Sequence, residues 1–176
     1  MSPETNPPID DLKCVVPIMR PLPGDGMRVV ILSKYWVWMP THFNGSRCVP
    51  CEDEETCELC YRQVRTWKGF FLARGIRGER TVLMQVTPNV VDSVTSALKP
   101  GESMNGLIVR FFRLGKEVNS PLSACVLGRS NDAPEVSVSE TWKHVCRIYR
   151  IRNSTALVAK NPDQIGWGMW SSTKEA

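Results

Sequence analysis

Residues 27–39 read Met27-Arg-Val-Val-Ile-Leu-Ser-Lys-Tyr-Trp-Val-Trp-Met39, and Pro40 closes the run. Valine, isoleucine, tyrosine and tryptophan fit a pleated surface, so the segment predicts one long strand. Strict alternation sets Val29, Ile31, Tyr35 and Val37 on one face and Arg28, Lys34, Trp36 and Trp38 on the other. The second set mixes cations with large rings, the composition of a surface on which bases stack while phosphates are neutralised nearby. A tryptophan pair covered by a helix or by the following segment gives the same pattern.

The segment after Pro40, Thr41 to Trp67, is THFNGSRCVPCEDEETCELCYRQVRTW. It holds Cys48-x-x-Cys51 and Cys57-x-x-Cys60, with His42 upstream. Two such pairs, each able to clamp one edge of a tetrahedron, predict a structural Zn2+ held by thiolates. The set expected is Cys48, Cys51, Cys57 and Cys60, with His42 as the alternative to Cys48. Four ligands leave no open position, so the site is expected to hold structure and not to catalyse. The spacing lacks the ferredoxin run of an iron–sulfur protein. Disulfides between such close cysteines would strain the loops, and nothing else suggests secretion.

Further along, Glu58 to Thr66 predicts a short helical turn that brings Arg62 and Arg65 to one side. Trp67 to Ile76 predicts a second strand, with Trp67, Phe71 and Ala73 on one face and Lys68, Phe70, Leu72 and Arg74 on the other. Gly75 to Gly78 is a hairpin signal and Glu79 to Val86 a third strand. Thr87-Pro88 opens a helix whose Val90, Val91, Val94 and Leu98 form one apolar stripe, ended by Lys99-Pro100-Gly101. Asn105 to Gly115 and Leu122 to Arg129 are two more strands, joined by a turn over Lys116 to Pro121. Ser137 or Ser139 then caps a helix carrying Trp142, Val145, Cys146 and Tyr149 at helical spacing.

The chain has 176 residues, 42% of them hydrophobic, enough for one domain with a sizeable core. Residues 1–26 read as an N-terminal arm, 27–129 as the body with its zinc loop at 41–66, 130–152 as a linker and helix, and 153–176 as a tail. The first residues carry neither a basic region nor an apolar run, and no stretch is long enough to span a bilayer. Together with clustered thiols this predicts a cytoplasmic protein, or one of the nucleus or nucleoid. Net charge is +4 and unevenly spread. Residues 48–60 carry five acids and no base, while residues 61–129 carry eleven bases against four acids. A basic body beside an acidic loop tip suits a nucleic-acid surface on one face.

Strand, metal loop, strand, strand, helix, strand, strand is a layout that resembles the OB-fold single-strand-binding proteins, some of which carry zinc in an elaborated loop. The resemblance covers Met27 to Arg129 and is one of layout, without a fingerprint motif. It implies a mainly β fold: a five-stranded Greek-key barrel with a zinc loop between strands one and two, one helix between strands three and four, and a C-terminal helix following. It also implies a nucleic-acid surface over strands two and three, flanked by the metal loop and by Lys116 to Pro121. The acid-rich tip at Glu52 to Glu55 departs from that pattern.

The partner expected is therefore a single-stranded nucleic acid, DNA before RNA, bound with little sequence preference. Candidates for stacking are Trp36, Trp38, Trp67, Phe70 and Phe112. Candidates for phosphate contact are Lys34, Arg47, Arg62, Arg65, Lys68, Arg74, Arg110 and Arg113. No Walker loop, GxSxG elbow, HExxH or deaminase signature is present, and the two histidines serve no evident triad, so catalysis is not expected. The competing reading is a protein-interaction adaptor acting through the zinc loop and the tail that bears Trp167 and Trp170.

Overall fold

The computed structural model describes residues 16–24, 26–46, 48–51, 57–76, 80–117 and 119–151. The expected N-terminal arm up to residue 15, Arg47, the acidic tip at Glu52 to Glu55, Arg152 and the expected tail over 153–176 lie outside the described residues. Along the chain run β1 (Ile18–Met19), β2 (Met27–Ile31), β3 (Val37–Phe43), β4 (Cys48–Pro50), β5 (Thr66–Gly75), β6 (Thr81–Val86), α1 (Pro88–Thr95), β7 (Leu107–Arg113), β8 (Leu122–Arg129) and α2 (Val138–Tyr149).

These strands make one mainly β sheet of eight, ordered β1-β6-β5-β2-β7-β8, with β3 paired to β5 and β4. Its long strands β7-β2-β5-β6 stand in the spatial order of a Greek key, the fourth returning beside the first. The sheet is not closed, since β6 and β8 are not hydrogen-bonded to each other. Instead β1 pairs in parallel with β6, which brings Ile18 and Met19 from the expected arm into the sheet. Helix α1 packs against β8 and β5 across the open side.

The expected single strand over 27–39 is in fact two strands, and the break reverses their facing. Both β2 and β3 pair with β5, Ile31 opposite Ala73 and Val37 opposite Phe70. Six residues of one side therefore span three of the other, an odd excess that switches inside to outside. Ser33 organises the break. Its hydroxyl accepts the Leu72 amide at 2.7 Å and shares a 2.8 Å bond with the Thr141 hydroxyl of α2. The Leu32 and Ser33 amides both donate to the Leu72 carbonyl, and the Val136 amide donates to that of Leu32.

The reversal carries Trp36 and Trp38 into the core. One cluster joins them to Val29, Ile31, Phe71, Met84, Val109 and Phe111, beneath Val90, Val91 and Val94 of α1. Trp36 meets Phe71 edge-on, with ring centroids 4.9 Å apart, the geometry aromatic pairs favour. On the other face Leu32, Val37, Met39, Phe70, Leu72 and Leu83 pack with Val145 of α2 and Ile151. Helix α2 starts on Ser137, whose hydroxyl accepts the Glu140 amide, and ends on Arg150 in the left-handed region. Gly106 holds φ near +79°, with the Ser130 carbonyl where a side chain would stand, so the Asn105-Gly106 signal is a real backbone demand. Among the described residues, no helix is long and apolar enough to cross a membrane.

Candidate metal centre

Strands β3 and β4 form a hairpin over Asn44, Gly45 and Ser46. Gly45 takes φ near +93°, and the Asn44 side-chain oxygen accepts the Ser46 amide. Facing pairs are Thr41 with Pro50, His42 with Val49 and Phe43 with Cys48. Paired residues share a face and neighbours alternate. Val49 and Cys51 thus stand on the side of His42, and Cys48 on the side of Phe43. The Cys51 amide donates to the Pro40 carbonyl at 2.9 Å, which holds it in register just past the strand. At the base of the hairpin the Thr41 hydroxyl donates to the Thr66 carbonyl at 2.9 Å.

The second cysteine pair is built differently. The Cys60 amide donates to the Cys57 carbonyl at 3.0 Å, and the Arg62 and Gln63 amides donate to that of Leu59. That turn swings both thiols to one side. His42, Cys51, Cys57 and Cys60 consequently bring their ligand atoms within 4.8 Å of one another, and these four can hold a metal ion. His42 Nε2 lies 3.2 Å from Cys60 Sγ, and Cys51 Sγ lies 3.4 Å from the same sulfur. A tetrahedral ion about 2.3 Å from each sulfur sets sulfurs roughly 3.8 Å apart, so only a small spreading is needed.

Cys48 is therefore not part of the set, and His42 stands in its place. The reason is conformational: a C-x-x-C clamp needs a turn, whereas Cys48–Pro50 is extended, and three steps along a strand point opposite ways. Nor is the cluster at ease without a cation. Burial, followed by hydrogen bonding to Cys60 and Cys57, pushes the Cys51 thiol up to about 12. For Cys57 burial also raises the pKa, but the backbone amides of Cys60 and Leu59 outweigh it and the net direction is down. His42 is fully buried, and its Nδ1 has no hydrogen-bond partner among the described residues. A divalent ion would balance the Cys51 thiolate that burial otherwise resists.

The nucleic-acid candidates divide sharply. Trp36, Trp38 and Phe70 are buried in the two cores and present no face to a base, because of the reversed alternation and the α2 cover. Lys34 is taken up by Glu135 at 3.5 Å. Arg113 donates to the Pro21 carbonyl at 3.1 Å and to that of Ser120 at 2.7 Å. The Arg113 side chain therefore ties its strand to neighbouring backbone, whereas Lys34 holds only a partly exposed pair. Lys68 is half-buried opposite Met39, on the α2 side. Arg62 is exposed, while Arg65 and Trp67 are half-buried beside the metal cluster.

Arg74, Arg110 and Phe112 remain, and the sheet brings them together. Arg110 faces Arg28 across β2 and β7, and Arg74 faces Val30 on the same side of β5. Arg110 lies 5.9 Å from the Phe112 ring, and its guanidinium also rests over Gly26, in the space a side chain there would enter. Strands β2, β5, β6, β7 and β8 contain no carboxylate at all. Arg28 was missing from the candidate set because its worth lies in its register with Arg110, which no local pattern encodes. Comparison with protein-family models, with curated proteins and with solved structures finds no match to this chain.

Proposed function

We propose that this chain is a zinc-pinned, OB-type domain that binds single-stranded nucleic acid, in a reducing compartment such as the cytoplasm. The strand order, with α1 between the third and fourth long strands and β8 hairpinned to β7, supports an open form of such a barrel. Three thiols and one imidazole with no position to spare favour structural zinc over a catalytic metal.

The observation that carries the reading is the arginine face. Arg28 and Arg110 are exposed and directly opposite, with Arg74 one row away. Like charges so placed cost stability in a free protein, and a phosphate chain relieves them. Guanidinium groups suit phosphate oxygens, and Phe112 beside them offers a ring for an unpaired base. The reading keeps that face of the sheet but moves the ligand along it toward β2 and β7, because α2 covers Phe70, Leu72 and Leu83. It also favours single strands, since a stacked base needs a free ring while a duplex offers only its backbone.

The test is a titration of labelled oligo-dT and a matched duplex at low and moderate salt. Salt-sensitive binding of the single strand, weakened by replacing Arg28 and Arg110 together, is the expected result. No binding even at low salt would refute it and leave the adaptor reading.

A further inference from the structure

The thiol cluster carries chemistry besides coordination, because two of its sulfurs nearly touch. Cys51 Sγ and Cys60 Sγ lie 3.4 Å apart. A tetrahedral ion sets sulfurs about 3.8 Å apart, and a disulfide about 2.05 Å. The pair stands between those two separations, within a short side-chain movement of either. We infer that Cys51 and Cys60 are a redox-released clamp, in which a peroxide joins them as a disulfide and frees the zinc ion, an inference that rests on the metal reading above. Their places in the fold favour this pair. Cys51 follows β4 with its amide on the Pro40 carbonyl, whereas Cys60 belongs to the next turn, its amide on the Cys57 carbonyl. A bond between residues nine positions apart therefore keeps hairpin and turn together once the ion has gone. A Cys57–Cys60 bond would link residues of one turn alone. Cys48 points to the other side of the hairpin from Cys51 and takes no part.

Access sets the order of events. Cys60 is half-buried and lines a recess of about 270 Å³, while Cys51 is buried, so hydrogen peroxide meets Cys60 first. The Cys60 thiolate attacks one peroxide oxygen, the O–O bond breaks, and the departing hydroxide takes a proton from solvent to become water. Cys60 is left as a sulfenic acid. The Cys51 thiolate then attacks that sulfur: the S–S bond forms, the S–O bond breaks, and a second hydroxide leaves as water after taking another proton. Two electrons have passed from the sulfurs to the peroxide. His42 and Cys57 are the ligands that remain, too few to hold zinc in a closed tetrahedral site. A thiol reductant reverses the change by exchange, its own two thiols ending as a disulfide.

The experiment treats the zinc-loaded full chain with hydrogen peroxide in small molar excess. A chromophoric chelator reads free zinc, and peptide mapping by mass spectrometry reads the state of each thiol. Release of one zinc per chain is expected, with Cys51 joined to Cys60 and zinc binding restored by a thiol reductant. Cys48→Ser keeps all four ligands and should give the same release and the same bond; loss of either there would overturn the pairing. Zinc retained after the exposed Cys125 has been oxidised would overturn the inference while sparing the metal site. Release accompanied by a Cys57–Cys60 bond, or by sulfinic acid at Cys60 without a disulfide, would overturn it as well. A chain that holds no zinc before peroxide is added would overturn the metal reading and the clamp together.

Discussion

Replacing Arg28 by threonine should raise stability and weaken ligand binding at once. Arg28 is exposed on β2 and faces Arg110 on β7. Cross-strand pairs contribute roughly 0.2–1 kcal/mol, and facing like charges lie on the unfavourable side. Threonine keeps the β-branched preference of the strand, so the change removes the repulsion without adding a backbone cost. The expected gain is about 0.5 kcal/mol, a rise of about 1–2 °C in Tm for a chain of this size. Binding moves the other way. Three arginines engaging three phosphates give a logarithmic salt slope near −2 for a single strand, and losing one brings it to about −1.4. Thermal melting by circular dichroism and anisotropy titrations of oligo-dT across a salt series measure the two effects. A lower Tm with an unchanged slope would refute the reasoning: Arg28 would then be a support of the sheet, and the face no phosphate surface.

The metal set is checked by elemental analysis: one zinc per chain in the wild type, one in Cys48→Ser, and little in His42→Ala or Cys60→Ser. Trp36→Ala should cost about 3–5 kcal/mol by urea unfolding, whereas Phe112→Ala should weaken strand binding by about 1–3 kcal/mol and cost much less stability. Burial holds the His144 pKa below its ordinary value, with Glu140 raising it and Arg147 lowering it. The unfolded chain then takes up the proton first, so this contribution is complete above about pH 6.5 and fades as pH falls below it. His144→Gln should flatten that fall, read as urea midpoints at about pH 7.5 and about pH 5.5. Chelation should open the segment around residues 57–65 to hydrogen exchange while β5 and β6 stay protected, and global unfolding by a chelator would contradict that.

Much of the architecture was legible because it is local. Pro88 at the first turn of α1, Ser137 as the cap of α2 and the valine stripe of α1 are short-range signals, and each element formed where they stand. The facing of β5 was legible for the same reason, with Phe71 and Ala73 inside one cluster and Phe70 and Leu72 inside the other. The facing of the tryptophans was not. It depends on Ser33 engaging Leu72, thirty-nine positions away, and Thr141, more distant still. Period-two alternation has no way to register an insertion whose hydrogen bonds are satisfied by remote partners. The metal site was half legible. Four cysteines announced it, but which of them serve depends on whether each pair lies in a turn or a strand, and only the second pair takes the turn.

A metal ion would serve the fold where the cluster lies. β5 is the spine of the sheet, paired with β2 and β3 along one edge and with β6 along the other. Both apolar clusters gather on it, and neither includes a described residue between Pro40 and Thr66. The hairpin and the turn after it therefore add no side chain to either apolar cluster, although Thr41, His42 and Cys51 are buried. Fixing one residue's backbone costs about 1–2 kcal/mol, so a turn of this length asks for something on the order of ten. Structural zinc supplies about 10–16 kcal/mol of apparent binding free energy in small metal-folded domains, which matches that need without help from the core. A metal ion held by His42, Cys51, Cys57 and Cys60 would tie the hairpin to this turn. Folding of the sheet and ordering of that turn would be separable for that reason, since neither apolar cluster draws on the turn.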